Sequence, residues 1–248
     1  MKILSIGNSF SQDATRYLHR MAKVAGIDIE TVNLYIGGCP LRTHYINAVE
    51  DIHNYELEFN GQKTGFRVSI KQALISGDYD VVTLQQASNA SFRPESFEPY
   101  STYLKGYIAK YCPKAQLYIH ETWGYKEESE RLAAYKFTSH AEMYAAVEKA
   151  YIELYGIVDA VGMLPSGKAI MTLHEMGFCK EDTHRDDIHV SLGLGRFTQA
   201  LTWLTYLTGY DPELCEFDEL DVPMTDEQRK AAKIAAKTAC DWAQQFKK

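Results

Sequence analysis

No stretch of the 248-residue chain approaches the ~18 consecutive apolar residues of a membrane-spanning helix. The opening run from Met1 to Gly7 is short and turns polar at once, too little for a secretory signal, so a cytoplasmic protein is expected, or a secreted one if a processed leader is missing from the sequence. Basic residues are the scarcer charge. The 26 Lys and Arg against 33 Asp and Glu leave a net −7, which argues against nucleic acid or an anionic membrane surface as the main partner. The five cysteines, Cys39, Cys112, Cys179, Cys215 and Cys240, are odd in number, and no two have C-x-x-C spacing. That supports neither a zinc ribbon nor a disulfide framework, and buried free thiols are the default expectation. No G-x-x-x-x-G-K-[ST] or post-strand G-x-G-x-x-G occurs, so no nucleotide phosphate cradle and no cofactor are predicted. No repeat, low-complexity tract or linker interrupts the chain, and residues 1–248 read as one domain.

What is present is an alternation. Ile3, Leu4 and Ile6 form a short apolar run stopped by Gly7, the pattern of a buried strand. Ala14, Tyr17, Leu18, Met21, Ala22 and Ala25 then repeat at helical spacing up to Gly26. Further strands are predicted at 32–36, 79–84, 117–119 and 157–161. Helical stripes are predicted around Phe66–Leu74, Tyr100–Tyr111, Tyr144–Tyr155 and Phe197–Leu207, with the tyrosines read as packing on the sheet. The capping-box pattern Thr225-Asp226-Glu227-Gln228 opens a surface helix over about 225–246. Strands alternating with helices imply parallel βαβ crossovers covered on both faces. Residues 39–65 and 162–190 read as long irregular stretches.

In such a sheet, ligands bind beyond the carboxyl ends of the strands. The residues predicted there are Gly7-Asn8-Ser9-Phe10-Ser11, Gly37-Gly38-Cys39-Pro40, Gln85-Gln86-Ala87-Ser88-Asn89, His120-Glu121-Thr122-Trp123, and the loop Arg185-Asp186-Asp187-Ile188-His189. These are the parts of an acyl-transfer site. A serine needs a base, the base needs a carboxylate to hold its tautomer, and the oxyanion needs fixed N–H donors. Ser9, His189 and Asp186 are the candidates for those roles.

These blocks resemble the SGNH (GDSL) hydrolase superfamily. Gly7-Asn8-Ser9-Phe10-Ser11 is similar to its Gly-Asp-Ser-Leu-Ser block, with Asn8 replacing Asp. Val32 to Gly38 resembles the second block and matches the oxyanion glycine to Gly38, and Asp186-Asp187-Ile188-His189 matches the closing Asp-x-x-His. The third block departs from Gly-x-Asn-Asp. Gln85-Gln86-Ala87-Ser88-Asn89 is closer to the Gln-Gly-Glu-Ser of the sialate and acetylxylan esterase branch, and the oxyanion carboxamide falls to Gln85, with Asn89 second. The resemblance implies a flavodoxin-like, three-layer α/β/α fold with a five-stranded parallel sheet. It also implies a serine esterase without metal or cofactor, acting on a small-molecule acyl ester often carried by a sugar. Ser9 would be the nucleophile, His189 and Asp186 the base and acid, and the Ser9 and Gly38 amides with a carboxamide the oxyanion site. Asn8, Gln86, Ser88 and Trp123 are candidates for the substrate cleft.

Blander readings of the same residues stand beside these. Ser9, Asp186, Asp187 and Ser191 could be helix caps, Gly37-Gly38 a tight turn, and Trp123 ordinary packing. His174, His184 and His189 with Asp182, Asp186 and Asp187 could form a metal cluster, though no H-E-x-x-H spacing accompanies them. A fold kept for binding without turnover is the remaining alternative.

Overall fold

The computed structural model describes residues 1–248. The first strand, β1 (Lys2–Gly7), is buried from Ile3 onward, as expected of a central parallel strand covered on both faces. It lies between β2 (Glu30–Tyr35) and β5 (Val81–Leu84), and β6 (Gln116–Glu121) and β7 (Gly162–Pro165) follow outward from β5. These five strands are parallel, in the flavodoxin-like order. The chain crosses to one side of β1 and then to the other, which opens a crevice at the carboxyl ends of β1, β2 and β5.

The sheet has seven strands, not five. Residues 39–65 are not irregular: they hold α3 (Leu41–Val49), β3 (Tyr55–Phe59) and the start of β4 (Gln62–Val68). β3 pairs antiparallel with β2 and with β4. The β3–β4 hairpin turns on Asn60 and Gly61, both in the left-handed region at φ 51° and 75°, the chemistry of a two-residue hairpin turn. A side chain at Gly61 would also sit 2.4 Å from the Arg16 carbonyl. Phe66, expected on a helix, projects from β4 and is 70% exposed. The helix after it, α4 (Ile70–Ser76), starts at a Ser69 capping box.

The strand predicted at 157–161 is instead the end of α7 (His140–Val158). The apolar stripe Met143, Tyr144, Val147, Tyr151, Leu154 and Val158 keeps helical period to the last turn, and packing overrides the β preference of Ile157 and Val158. Asp159 closes the helix at φ 50°, and the strand begins three residues later. The helix predicted from Ala14 to Ala25 is two, α1 (Ser9–Thr15) and α2 (Leu18–Val24). The break falls at Tyr17, whose hydroxyl donates to Leu192 O and accepts from Asp221 N.

The remaining helices are α5 (Tyr100–Tyr111), α6 (Glu130–Ala134), α8 (Ser166–Glu175), α9 (Leu194–Thr208) and α10 (Asp226–Ala243). α3, α4, α5 and α7 pack together as one layer, and α1, α2, α8, α9 and α10 as the other. α5 buries Ser101, Leu104 and Ile108, and its Tyr100, Tyr107 and Tyr111 pack partly buried at the edge of the core, in contact with one another or with Tyr103 and Tyr45. One hydrophobic cluster of 58 buried residues runs from Ile3 to Phe246. No helix is long and apolar enough to cross a membrane.

Candidate active site

β1 ends at Gly7 because nothing larger fits: a Cβ there would lie 2.2 Å from Ser11 Oγ. Asn8, not Ser9, caps α1. Its Oδ1 accepts from Phe10 N at 3.0 Å, and its own N–H donates to Ser11 Oγ at 3.1 Å. The Ser9 hydroxyl is thereby left free, at the first helical position, where the backbone N–H also lacks a helical acceptor.

Ser9 Oγ lies 2.8 Å from His189 Nε2, across 180 residues of sequence. His189 Nδ1 lies 2.8 and 3.1 Å from the two carboxylate oxygens of Asp186. With Nδ1 protonated, the ring donates to Asp186 and accepts from Ser9. Asp186 Oδ1 also accepts from the backbone N–H groups of Ile188 (2.9 Å) and His189 (2.8 Å). Partial burial pushes the Asp186 carboxyl pKa up, but these N–H donors and the imidazole outweigh it and hold the pKa at about 2.

The loop carrying this pair is tied down on several sides. Trp123 Nε1 donates to Ile188 O at 2.9 Å, Lys126 N donates to Asp187 O at 2.8 Å, and Arg185 N donates to His189 O at 3.0 Å. The Trp123 ring stacks flat on Phe10 at 3.9 Å and has no exposed surface, so it braces α1 and the loop and does not line a cleft. Fully buried Asp13, on α1, binds Arg185 Nη1 through both oxygens at 3.0 Å and Arg196 Nε at 2.8 Å. Asp13→Ala leaves two guanidinium groups without their buried partner. It should cost about 3–5 kcal/mol in urea denaturation, and a loss below 1 kcal/mol would show that this junction is not held by charge.

The third block serves differently from expectation. Gln85 is buried, with Nε2 donating to Asn8 Oδ1 at 2.7 Å and Oε1 lying 2.6 Å from His120 Nδ1. Gln86 is buried too: it accepts from Leu41 N and Ala87 N and donates to Ser96. Asn8, at 2% exposure, likewise presents nothing to a substrate. Ser88, partly buried, accepts from the Tyr125 hydroxyl at 3.1 Å. Asn89 is exposed on the turn after β5, with a side chain making no hydrogen bond within the chain. Gly38, also exposed, sits in the left-handed region at φ 61°, and its N–H has no partner either.

The chain belongs to the DUF4886 family. The model of this family, described as a domain of unknown function, matches residues 2–240. A DUF4886 family protein from Bacteroides uniformis is 30% identical, with a TM-score of 0.90 over 98% of this chain and 95% of that one. More distant are a candidate SGNH hydrolase from Slackia heliotrinireducens (21% identity, TM-score 0.56, 81% and 95% covered) and a candidate GDSL-like lipase from Parabacteroides merdae (15%, 0.51, 82% and 93%). At those identities the likeness shows the fold alone, that of the SGNH hydrolases. Among functionally curated proteins no sequence matches the chain.

The six residues of the possible metal cluster do not converge. His174 stacks on His140 at 3.8 Å with His184 edge-on beneath them, Asp182 accepts from Gln228, and His189 faces Ser9. No group of three or more His, Cys, Asp or Glu in the chain is placed to hold a metal ion. Beside His189 lies a cavity of about 320 Å³ lined by Arg131, Asp186, Asp187, Ile188 and His189. A larger cleft of about 500 Å³, walled by Tyr103, Tyr107 and Tyr111 on α5, lies away from these residues.

Proposed function

We propose that the protein is a serine hydrolase of small O-acyl esters. The observation that carries this reading is the hydrogen-bonded line Ser9–His189–Asp186, with a bare serine hydroxyl 2.8 Å from an imidazole whose far nitrogen meets an ionised carboxylate. Ser9 Oγ attacks the ester carbonyl as its proton passes to His189 Nε2. The carbonyl π pair moves to oxygen, which would be held by the N–H groups of Ser9 and Gly38, with Asn89 the uncommitted carboxamide of the third block. The tetrahedral centre collapses, the alcohol leaves with the proton from His189, and an acyl-Ser9 remains. Water, deprotonated by His189, attacks the acyl carbon; the C–Oγ bond then breaks, Ser9 Oγ takes the proton back from His189, and the acid is released.

The test is hydrolysis of p-nitrophenyl acetate and butyrate by the wild type and Ser9→Ala, with and without EDTA. Turnover that falls on the order of 10³-fold or more in the variant, and is indifferent to chelator, is expected. Equal turnover by the variant sinks the reading. A wild type inert across acyl lengths would favour a binding role for the same cleft.

A further inference from the structure

We propose that Asn8, Gln85 and His120 form a positioning chain that sets the separation of the Ser9 and Gly38 N–H groups; this rests on Ser9 being the nucleophile. The three side chains are buried and link the carboxyl ends of four adjacent strands, β6, β5, β1 and β2.

Their orientation follows from a single backbone group. Phe10 N–H donates to one atom of the Asn8 carboxamide, which must therefore be the oxygen. That places Asn8 Nδ2 against the Cys39 carbonyl at 3.2 Å. The same Asn8 oxygen lies 2.7 Å from the Gln85 carboxamide, so Gln85 must present its nitrogen there and its oxygen to His120. His120 must then carry its proton on Nδ1. Its Nε2 is buried without a partner, so Nδ1 is the one ring nitrogen with an acceptor for the proton. Every donor thus points the same way, from β6 to the turn after β2.

The last link does the positioning. Cys39 closes the turn that carries Gly38, with Cys39 N donating to Ile36 O at 3.2 Å. Asn8 precedes Ser9 directly. The Asn8–Cys39 bond therefore ties the residue before Ser9 to the residue that closes the Gly38 turn, and Gln85 and His120 keep Asn8 from rotating away. This also accounts for asparagine in place of aspartate at position 8. A carboxylate would set an acceptor against the Cys39 carbonyl and push the Gly38 turn outward. Gln85 is then a positioning residue rather than an oxyanion donor.

The experiment measures p-nitrophenyl acetate kinetics, and the rate at which a fluorophosphonate probe labels Ser9 by mass spectrometry, in the wild type, Asn8→Asp, His120→Leu and His120→Asn. Ser9→Ala serves as the reference. A displaced oxyanion donor should lower kcat and the labelling rate about 10- to 100-fold in Asn8→Asp and His120→Leu, approaching the 10²–10³ of a lost donor, with KM unchanged. His120→Asn, whose amide nitrogen replaces Nδ1, should recover most of the loss, which a merely structural role would not predict. If Asn8→Asp, a near-isosteric change, and a folded His120→Leu both keep kcat and labelling within twofold of wild type, the positioning role is wrong and the nucleophile stands. If wild-type Ser9 is not labelled, or Ser9→Ala hydrolyses the ester as fast as wild type, both fall together.

Discussion

Asp186→Asn is expected to lower kcat for ester hydrolysis on the order of 10⁴-fold while KM changes little. The substitution keeps the local turn, because the asparagine oxygen can still accept from Ile188 and His189 N–H, as Asp186 Oδ1 does. The other carboxylate oxygen, 2.8 Å from His189 Nδ1, is replaced by an NH₂ donor. A donor there favours the imidazole tautomer with its proton on Nε2, and an Nε2–H cannot accept from Ser9. The pH profile checks the cause. The Asp186 carboxyl, held at about 2, is ionised at every assay pH, so the ratio of wild-type to variant kcat should stay constant between pH 7 and 8. A variant retaining more than a tenth of wild-type kcat would show that the carboxylate does not set the tautomer.

Stability should fall steeply on mild acidification. Four histidines, His44, His120, His140 and His184, are buried in the neutral form, and His174 is partly buried against His140. Burial lowers His44, His120 and His174 to about 3 and His140 to about 4, and it lowers His184 as well. His140, His174 and His184 also repel protonation of one another. With folded pKa values below the unfolded 6.5, the unfolded chain binds more protons than the folded one as pH falls below 6.5. Each such group then removes about 1.4 kcal/mol of stability per pH unit, or ~7 kcal/mol per unit for five. Glu121 works against this. Burial at the amino end of α8 raises it from 4.5 to about 8, so its contribution is full below pH 4.5 and declines as pH rises through 8. The imidazoles outnumber it. For a domain of ordinary stability, ~5–15 kcal/mol, urea midpoints should be highest near neutrality and collapse between pH 6 and 4.5. A midpoint constant down to pH 4.5 would mean that the imidazoles are not held neutral.

Much of this architecture was legible from sequence, for local reasons. β1, β2, β5 and β6 are short apolar runs ended by glycine or polar residues. The Asp-x-x-His turn is also local, since Asp186 takes up the N–H groups two and three residues on. The β3–β4 hairpin carried its own signal, Asn60-Gly61, but β4 is largely exposed and polar, so no apolar alternation marked it. The strand misplaced at 157–161 shows β-branched residues yielding to a helical stripe 19 residues long. The partners of Asp13, Gln85 and Trp123 were beyond reach. Arg185 lies 172 residues from Asp13, and no spacing rule connects side chains that meet only after the sheet has formed.

The hairpin on β2 has a consequence for where this molecule opens. Without it β2, the strand that delivers Gly38, would be the rim of the sheet and bonded on one side only. With it, fraying and strand exchange begin at β4, two strands from Gly38. β4 meets solvent with Lys63 and Arg67, charges that discourage another chain from adding there. The outermost backbone can thus breathe without moving the turn that holds Gly38.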